Sequence, residues 1–85
     1  MADFPSRELL EATLALAGDA HDDYERAMLK GVVDERWAGF YAAYVLGRVG
    51  DFTAAGRLAA LLAEVDAASD WPAVAAGHVL MKLRS

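Results

Sequence analysis

The sequence contains no cysteine, which excludes disulfides, thiolate metal ligands and cysteine nucleophiles. Only two prolines occur, and both stand where a helix is expected to begin. No apolar run reaches the roughly 18 residues of a membrane-spanning helix. No segment shows the alternation of β-branched and polar residues that is typical of a strand. These absences favour an all-α fold without a membrane-spanning segment.

Basic residues are also few. Eight Lys and Arg residues stand against 13 Asp and Glu residues, so the chain is acidic, with a net charge of −5. Because no basic cluster offers a phosphate-binding surface, neither nucleic acid nor an anionic membrane is expected as a partner. Residues 1–5 lack the basic start and apolar core of a signal peptide, so we expect a cytoplasmic location.

Apolar residues, in contrast, are abundant. They make up 56% of the chain, whereas ordinary soluble domains contain about 45–50%. A chain of 85 residues forms one domain, residues 1–85, and buries only about 60–65% of its unfolded surface. We therefore expect more apolar surface than one copy can hide. This predicts a homodimer or a protein partner, with two predicted helices, over about residues 35–49 and 71–83, as the interface.

A first helix is predicted from residue 4 or 7 to residue 29, with Asp3 or Ser6 as its cap. Gly18-Asp19 could divide it, but the apolar pattern continues through that point in phase, which favours one helix. Lys30-Gly31 supply a cation and a glycine that suit its C-terminal end. Its predicted buried face consists of Leu9, Leu10, Thr13, Leu14, Leu16, Ala17, Ala20, Tyr24, Ala27 and Met28.

A second helix is predicted from about Glu35 to Val49, with Asp34 as its cap. No charged residue occurs between Trp37 and Gly47. A helix that is apolar on every side must be covered on every side. We therefore expect this helix to lie at the centre of the bundle, at an interface with a second copy, or both.

The rest of the chain predicts two more helices. After a turn at residues 50–52, Thr53 is expected to cap a third helix over residues 54–68. A turn at Ser69-Asp70 precedes a fourth helix over residues 71–83, with Pro72 in its first turn. The residues predicted to form the apolar faces of these helices are Leu58, Leu61, Leu62, Val65, Val74, Val79, Leu80, Met81 and Leu83.

The connections between these helices are short, which forces neighbouring helices to run antiparallel. The expected fold is a four-helix up-down bundle built from two antiparallel helical hairpins. A faint repeat at a spacing of 34 residues supports two related hairpins and pairs Trp37 with Trp71 and Val45 with Val79. The period matches tetratricopeptide repeats, but the turn glycines and aromatic residues of that consensus are not in place.

Aromatic and ionisable residues stand on both sides of the turn between helices 1 and 2. His21, Tyr24 and Glu25 lie close together on helix 1, and an aromatic stripe follows helix 2. The turn folds the two sets towards each other, which predicts an aromatic pocket in which His21 could act as an acid or base. The candidate ligand-binding residues are His21, Tyr24, Glu25, Asp34, Trp37, Tyr41 and Tyr44. The alternative is an ordinary bundle core. In that case His21, Glu25 and Asp34 form hydrogen bonds with the polar groups of the buried tyrosines and tryptophan.

No catalytic or cofactor motif occurs. The serines lie outside any Gly-x-Ser-x-Gly elbow, and no phosphate-binding glycine loop with a lysine is present. His21 is followed closely by acidic residues, but neither Glu-x-x-His nor His-Glu-x-x-His occurs, so we expect a solvated acidic face rather than a metal site. We therefore expect a helical interaction or self-association module without a cofactor. A small-molecule binder or small enzyme that uses the aromatic pocket is the alternative.

The pattern His21-x-x-Tyr24-Glu25, followed by Asp34-x-x-Trp37-x-x-Phe40-Tyr41-x-x-Tyr44, resembles a motif of short bacterial all-helical proteins. The matched span covers residues 9–46. In that family a second tryptophan often stands at the place of Phe40, and a proline at the place of Ala38. The family has no settled activity, so the resemblance implies a helical fold and a bacterial source but no particular ligand.

Overall fold

A computed structural model describes residues 3–28, 36–66 and 70–84. These described ranges contain the four predicted helices. They are α1 (Arg7–Met28), α2 (Trp37–Val49), α3 (Ala55–Ala63) and α4 (Trp71–Arg84). No strand occurs within the described ranges.

The helices form a ring in which each packs against its neighbours in chain order. α1 contacts α2 and α4, and α3 contacts the same two helices. α1 and α4 run antiparallel, because Arg7 lies beside Gly77 whereas Gly18, further along α1, shares a cavity with Trp71 at the start of α4. The short connections impose the same arrangement on consecutive helices. The predicted four-helix up-down bundle is thus confirmed.

α1 begins where the sequence predicts. The backbone N–H of Leu9 donates to the Ser6 hydroxyl oxygen at 3.1 Å, so Ser6 caps the helix. The helix continues through Gly18 without a break, as its uninterrupted apolar pattern predicts, and ends at Met28. The end signal predicted at Lys30-Gly31 lies outside the described residues.

The buried face of α1 differs from the predicted one. Its members are Leu10, Thr13, Leu14, Ala17 and His21. Several residues that were expected inside are exposed, namely Leu9, Leu16, Tyr24, Ala27 and Met28. Apolar residues occupy so wide an arc of this helix that their spacing alone does not locate its centre. The positions of α2 and α4 decide which part of the arc is covered.

α2 begins at Trp37, with Arg36 in the cap position and no side-chain cap bond. This is two residues later than predicted, and the predicted cap Asp34 lies outside the described residues. The core-facing residues are Ala42, Val45 and Leu46.

Within one copy, the other side of α2 is not covered, so the expectation that the bundle surrounds this helix is wrong, whereas the expected interface with a second copy stays a prediction. Gly39, Ala43 and Gly47 form an exposed flank. Because these residues are four apart, they lie on one face. A helix without charges can keep one side in water when that side carries only small residues, since they expose little apolar area.

The connection after α2 turns at Gly50 and then enters the core at Phe52. Gly50 has a φ of 95°, in the left-handed region that favours glycine. Its N–H donates to the Leu46 carbonyl at 3.0 Å at the end of α2. Phe52 is 0% exposed and is the largest of the fully buried side chains. The sequence predicts only a turn here, so it misses this core residue.

α3 begins one residue later than predicted. Ala54 stands in the cap position and no side chain caps the helix, so the predicted Thr53 cap is wrong. The predicted inward residues are confirmed, because Leu58, Leu61 and Leu62 are buried and Val65 is partly buried.

α3 also ends five residues earlier than predicted, at Ala63. The N–H groups of Glu64 and Val65 donate to carbonyls three residues back, which tightens the last turn. The Val65 carbonyl accepts the Trp71 indole N–H at 3.2 Å instead of continuing the helix. A tertiary hydrogen bond therefore marks the end of α3.

α4 extends one residue beyond its predicted end and has Pro72 in its first turn, as predicted. Its core-facing residues are Ala75, Ala76, Val79 and Leu80. Val74 and Met81, which were predicted to face inward, are exposed. Over the described part of the chain, no helix has both the length and the apolar character that crossing a membrane requires.

Candidate ligand-binding site

The structure brings the predicted aromatic residues of α1 and α2 together around His21. This side chain is buried, and its ring centroid lies 5.0 Å from that of Phe40 and 5.4 Å from that of Tyr41. Its Nδ1 atom lies 3.6 Å from an oxygen of Glu25, one turn further along α1. Tyr24 packs its ring against Phe40 at 5.4 Å and keeps an exposed edge. Phe40 belongs to the predicted aromatic stripe of α2 and joins the cluster, although it was not chosen as a ligand-binding candidate.

Tyr44, another candidate, does not join this cluster in the described structure. Tyr44 interacts with Arg48, whose guanidinium carbon lies 5.6 Å from the centre of the Tyr44 ring. Arg48 also donates to the Tyr44 hydroxyl at 3.5 Å, one turn along the same helix. Asp34 lies outside the described residues, so its predicted role stays a prediction.

A second group of rings extends from Tyr41 away from His21. The ring centroids of Trp37, Tyr41 and Trp71 lie 5.4–5.7 Å apart in all three pairs. The ring planes meet at 76–86°, the edge-to-face geometry that aromatic pairs favour. We call these residues the aromatic triad. Because the Trp71 indole N–H is bonded to Val65, this ring is held against the end of α3.

Trp71 was not among the candidate residues, yet the sequence carried a signal for it. Trp37 is the first residue of α2, and Trp71 is the first residue of α4. The faint repeat pairs these two positions. An up-down bundle places the starts of α2 and α4 at the same end, so the two related tryptophans meet there.

The aromatic triad lines an open cavity of about 430 Å³ between α1, α2 and α4, beside the end of α3. We call it the aromatic cavity. Its lining is mostly apolar and consists of Leu14, Ala15, Gly18, Trp37, Tyr41, Val65, Trp71 and Pro72. This volume lies within the range of roughly 300–1,000 Å³ that is typical of small-molecule sites. His21 does not line the cavity.

Gly18 lets the Tyr41 side chain lie close to α1. A methyl group on Gly18 would lie 3.2 Å from the Tyr41 hydroxyl oxygen, closer than ordinary packing allows. The absence of a side chain at this position therefore places a phenol at the wall of an otherwise apolar cavity. The sequence predicted Gly18 only as a possible break in the helix.

The electrostatic surroundings of Tyr41 are negative. Burial raises the pKa of the Tyr41 phenol above its ordinary value of 10.0, and the charges of Asp22, Glu25 and Asp19 raise it further. A neutral phenol can both donate and accept a hydrogen bond. The cavity therefore presents aromatic surface and a polar tip to a ligand, with carboxylates nearby.

One group of side chains could hold a metal ion. His21, Asp22 and Glu25 each offer a ligand atom, and these atoms lie within 4.8 Å of one another. A nitrogen and two carboxylates can bind a divalent cation. All three donors come from about one turn of α1, and Asp22 is exposed. The sequence predicted a solvated acidic face here, and that interpretation stays a prediction.

Comparison of the chain with family models, with curated proteins and with solved structures finds no match. The resemblance to short bacterial helical proteins therefore stays a prediction.

Proposed function

We propose that this protein is a small helical binding module that takes an apolar, ring-bearing small molecule into the aromatic cavity. The observation that supports this function is an open cavity of about 430 Å³ at which the aromatic triad meets. Tryptophan and tyrosine supply large, rigid contact surfaces with polar tips, which suit recognition of ring-bearing groups. The site lies between helices of a bundle, a common place for ligand pockets.

Intrinsic fluorescence offers a direct test of this function. The chain contains only two tryptophans, and both line the cavity. Any ligand that enters should change their emission, with no contribution from tryptophans elsewhere. We expect 2-phenylethanol, a neutral ring-bearing probe that does not absorb in the tryptophan band, to give a saturable change in the millimolar range.

A matched pair of variants separates entry into the cavity from nonspecific effects. Ala15 is exposed and lines the cavity, whereas Ala12 is exposed on the same helix and does not line it. Ala15→Phe should fill the cavity from its rim and abolish the response, while Ala12→Phe should leave it unchanged. Equal responses from both variants, or no saturable response from the unmodified protein, would contradict the proposed function.

Self-association is the second candidate function. Several large apolar side chains on α1 and α4 are exposed, with Leu9 and Leu16 seven residues apart on α1 and Val74 and Met81 seven apart on α4. Spacing by sevens places residues on one face, as in helices that pair. The sequence predicted helices 2 and 4 as the interface. The small exposed residues of α2 favour α1 in its place.

Light scattering after size-exclusion chromatography tests this second candidate. The monomer mass is 9.1 kDa, so a dimer should have twice that mass at high micromolar concentration. Leu9→Lys together with Leu16→Lys should convert the dimer to a monomer without loss of helix content. A monomer at every concentration of the unmodified chain would rule this candidate out and leave the binding function unaffected.

A further inference from the structure

We propose that the aromatic cavity selects organic cations, meaning small molecules in which an aromatic or other apolar group carries an ammonium. This inference rests on the proposed function, because it names the class of ligand for the same cavity. It is carried by the arrangement of charged residues around the aromatic triad.

Two acidic residues stand close to the α1 side of the cavity. Ala15 and Gly18 line it from α1, and Asp19 and Asp22 stand four residues further along that helix. Residues four apart lie one above the other on a helix. The two carboxylates are therefore placed one turn beyond the α1 wall, and both residues are exposed.

Acidic residues also stand next to lining residues on the side of the cavity formed by the end of α3 and the start of α4. Asp66 follows the lining residue Val65, and Asp70 precedes the lining residue Trp71. Both aspartates are exposed. Among the described residues that adjoin the lining in sequence, Arg36, next to Trp37, is the basic one. Acidic residues therefore outnumber basic ones among the described residues that stand next to the lining in sequence or one helical turn from it.

The positive ends of two helices and the Arg36 side chain disfavour binding of a cation. The first residues of α2 and α4 line the cavity, and a helix N-terminus carries a partial positive charge of roughly half an elementary charge. Together with Arg36 these amount to about two positive charges. Against these stand the full charges of Asp19 and Asp22, one turn beyond the α1 wall, and of Asp66 and Asp70, each next to a lining residue in the sequence. Negative charge also acts on the cavity wall, because burial and then the charges of Asp22, Glu25 and Asp19 raise the pKa of Tyr41.

The lining adds a second attraction for a cation. The faces of tryptophan and tyrosine rings carry negative charge density and attract an ammonium within about 6 Å of the ring centre. In an apolar cavity this attraction is stronger than at an exposed ring, because less water competes. Aromatic walls and an acidic rim thus favour the same class of ligand.

Three probes test the proposal on the full chain. They share a phenyl ring and differ in charge, which is positive, zero or negative. They are 2-phenylethylammonium, 2-phenylethanol and phenylacetate, each titrated against tryptophan fluorescence. We expect the ammonium to bind about tenfold tighter than the alcohol, equivalent to about 1.4 kcal/mol, and phenylacetate to bind weakest. The preference for the ammonium should shrink as salt is added, because surface charges are screened.

Charge-removing variants identify the source of the preference. Asp19→Asn with Asp22→Asn should weaken binding of the ammonium about fivefold and leave binding of the alcohol unchanged. The matched control is Asp3→Asn with Asp51→Asn, which changes the net charge equally. Asp3 and Asp51 are exposed and stand before α1 and after α2, at the other end of the bundle. This control should retain the ammonium preference.

The outcomes separate the selectivity from the binding function. If the alcohol or phenylacetate binds as tightly as the ammonium, cation selectivity is wrong while the cavity remains a ligand site. Tightest binding of phenylacetate would indicate that the helix N-termini dominate. Equal loss in both pairs of aspartate variants would also overturn the proposal. If none of the three probes gives a saturable response, both proposals fail.

Discussion

Replacement of Phe52 tests whether a connecting segment anchors the core. Its side chain is 0% exposed, between α2 and α3. Truncation of a fully buried Phe to Ala typically destabilises a protein by about 3–5 kcal/mol, because transfer free energy is lost and a cavity remains. A domain of 85 residues has a stability of about 4–13 kcal/mol at roughly 0.05–0.15 kcal/mol per residue. Phe52→Ala should therefore remove a large part of the total stability.

A milder substitution keeps the experiment informative if the Phe52→Ala protein does not fold. Phe52→Leu removes three carbons, which corresponds to roughly 2 kcal/mol at about 0.8 kcal/mol for each buried carbon. Urea unfolding followed by circular dichroism measures both variants. The urea concentration at the unfolding midpoint should be highest for the unmodified protein, lower for Phe52→Leu and lowest for Phe52→Ala. The slope of the free energy of unfolding with urea concentration should stay the same.

Phe4 provides the matched control for this experiment. It is 39% exposed, and its ring meets Phe52 edge to face at 6.2 Å. Phe4→Ala should lower stability by about 0.5–1.5 kcal/mol, the typical value of such a pair. The effects of the two alanine substitutions should be less than additive when combined, because they remove the same contact. A change below about 1 kcal/mol for Phe52→Ala would refute the assignment of this residue to the core.

Three further predictions concern single residues, and urea unfolding at fixed pH checks the first two. Ser6→Ala should lower stability by about 1 kcal/mol through loss of the helix cap; no change would contradict the cap. Gly50→Ala should lower stability by roughly 1–2 kcal/mol because φ is 95° there. In contrast, Gly47→Ala should raise stability by up to about 1 kcal/mol, because alanine favours a helix more than glycine and a methyl group at this position of α2 would meet no other atom. Because the Tyr41 pKa is raised by folding, stability should decline as pH rises above about 10, the unfolded value. Tyr41→Phe should abolish that part of the decline, and phenolate absorption measures the titration; a Tyr41 that ionises below the other tyrosines would contradict the result.

Much of the architecture follows from local sequence signals. Ser6, Pro72 and the absence of strand patterns predict where α1 and α4 begin and which fold class forms. The short connections predict the antiparallel ring of helices. Local signals did not predict the cap of α3 or the residue at which it ends. A helix stops where tertiary hydrogen bonds compete with the hydrogen bonds of its own backbone. The bond from the Trp71 indole to the Val65 carbonyl is such a competitor.

The candidate site was predicted in part. The spacing of His21, Tyr24 and Tyr41 predicted that rings of α1 and α2 would meet, and they do, because His21 contacts Tyr41 and Tyr24 contacts Phe40. Helical spacing alone also included Tyr44, which contacts Arg48 instead. The cavity itself could not be derived from these residues, because two of the three ring contacts in the aromatic triad involve Trp71 of α4.

By itself, the sequence determined the helical class, the number of helices and their alternating direction, because propensity, capping and connection length act within a few neighbouring residues. Only the tertiary structure decided which arc of α1 is buried, that Phe52 enters the core, and that Trp71 meets Trp37 across the bundle. These features depend on contacts between residues far apart in the chain. Their free energy comes from packing, which no local pattern specifies.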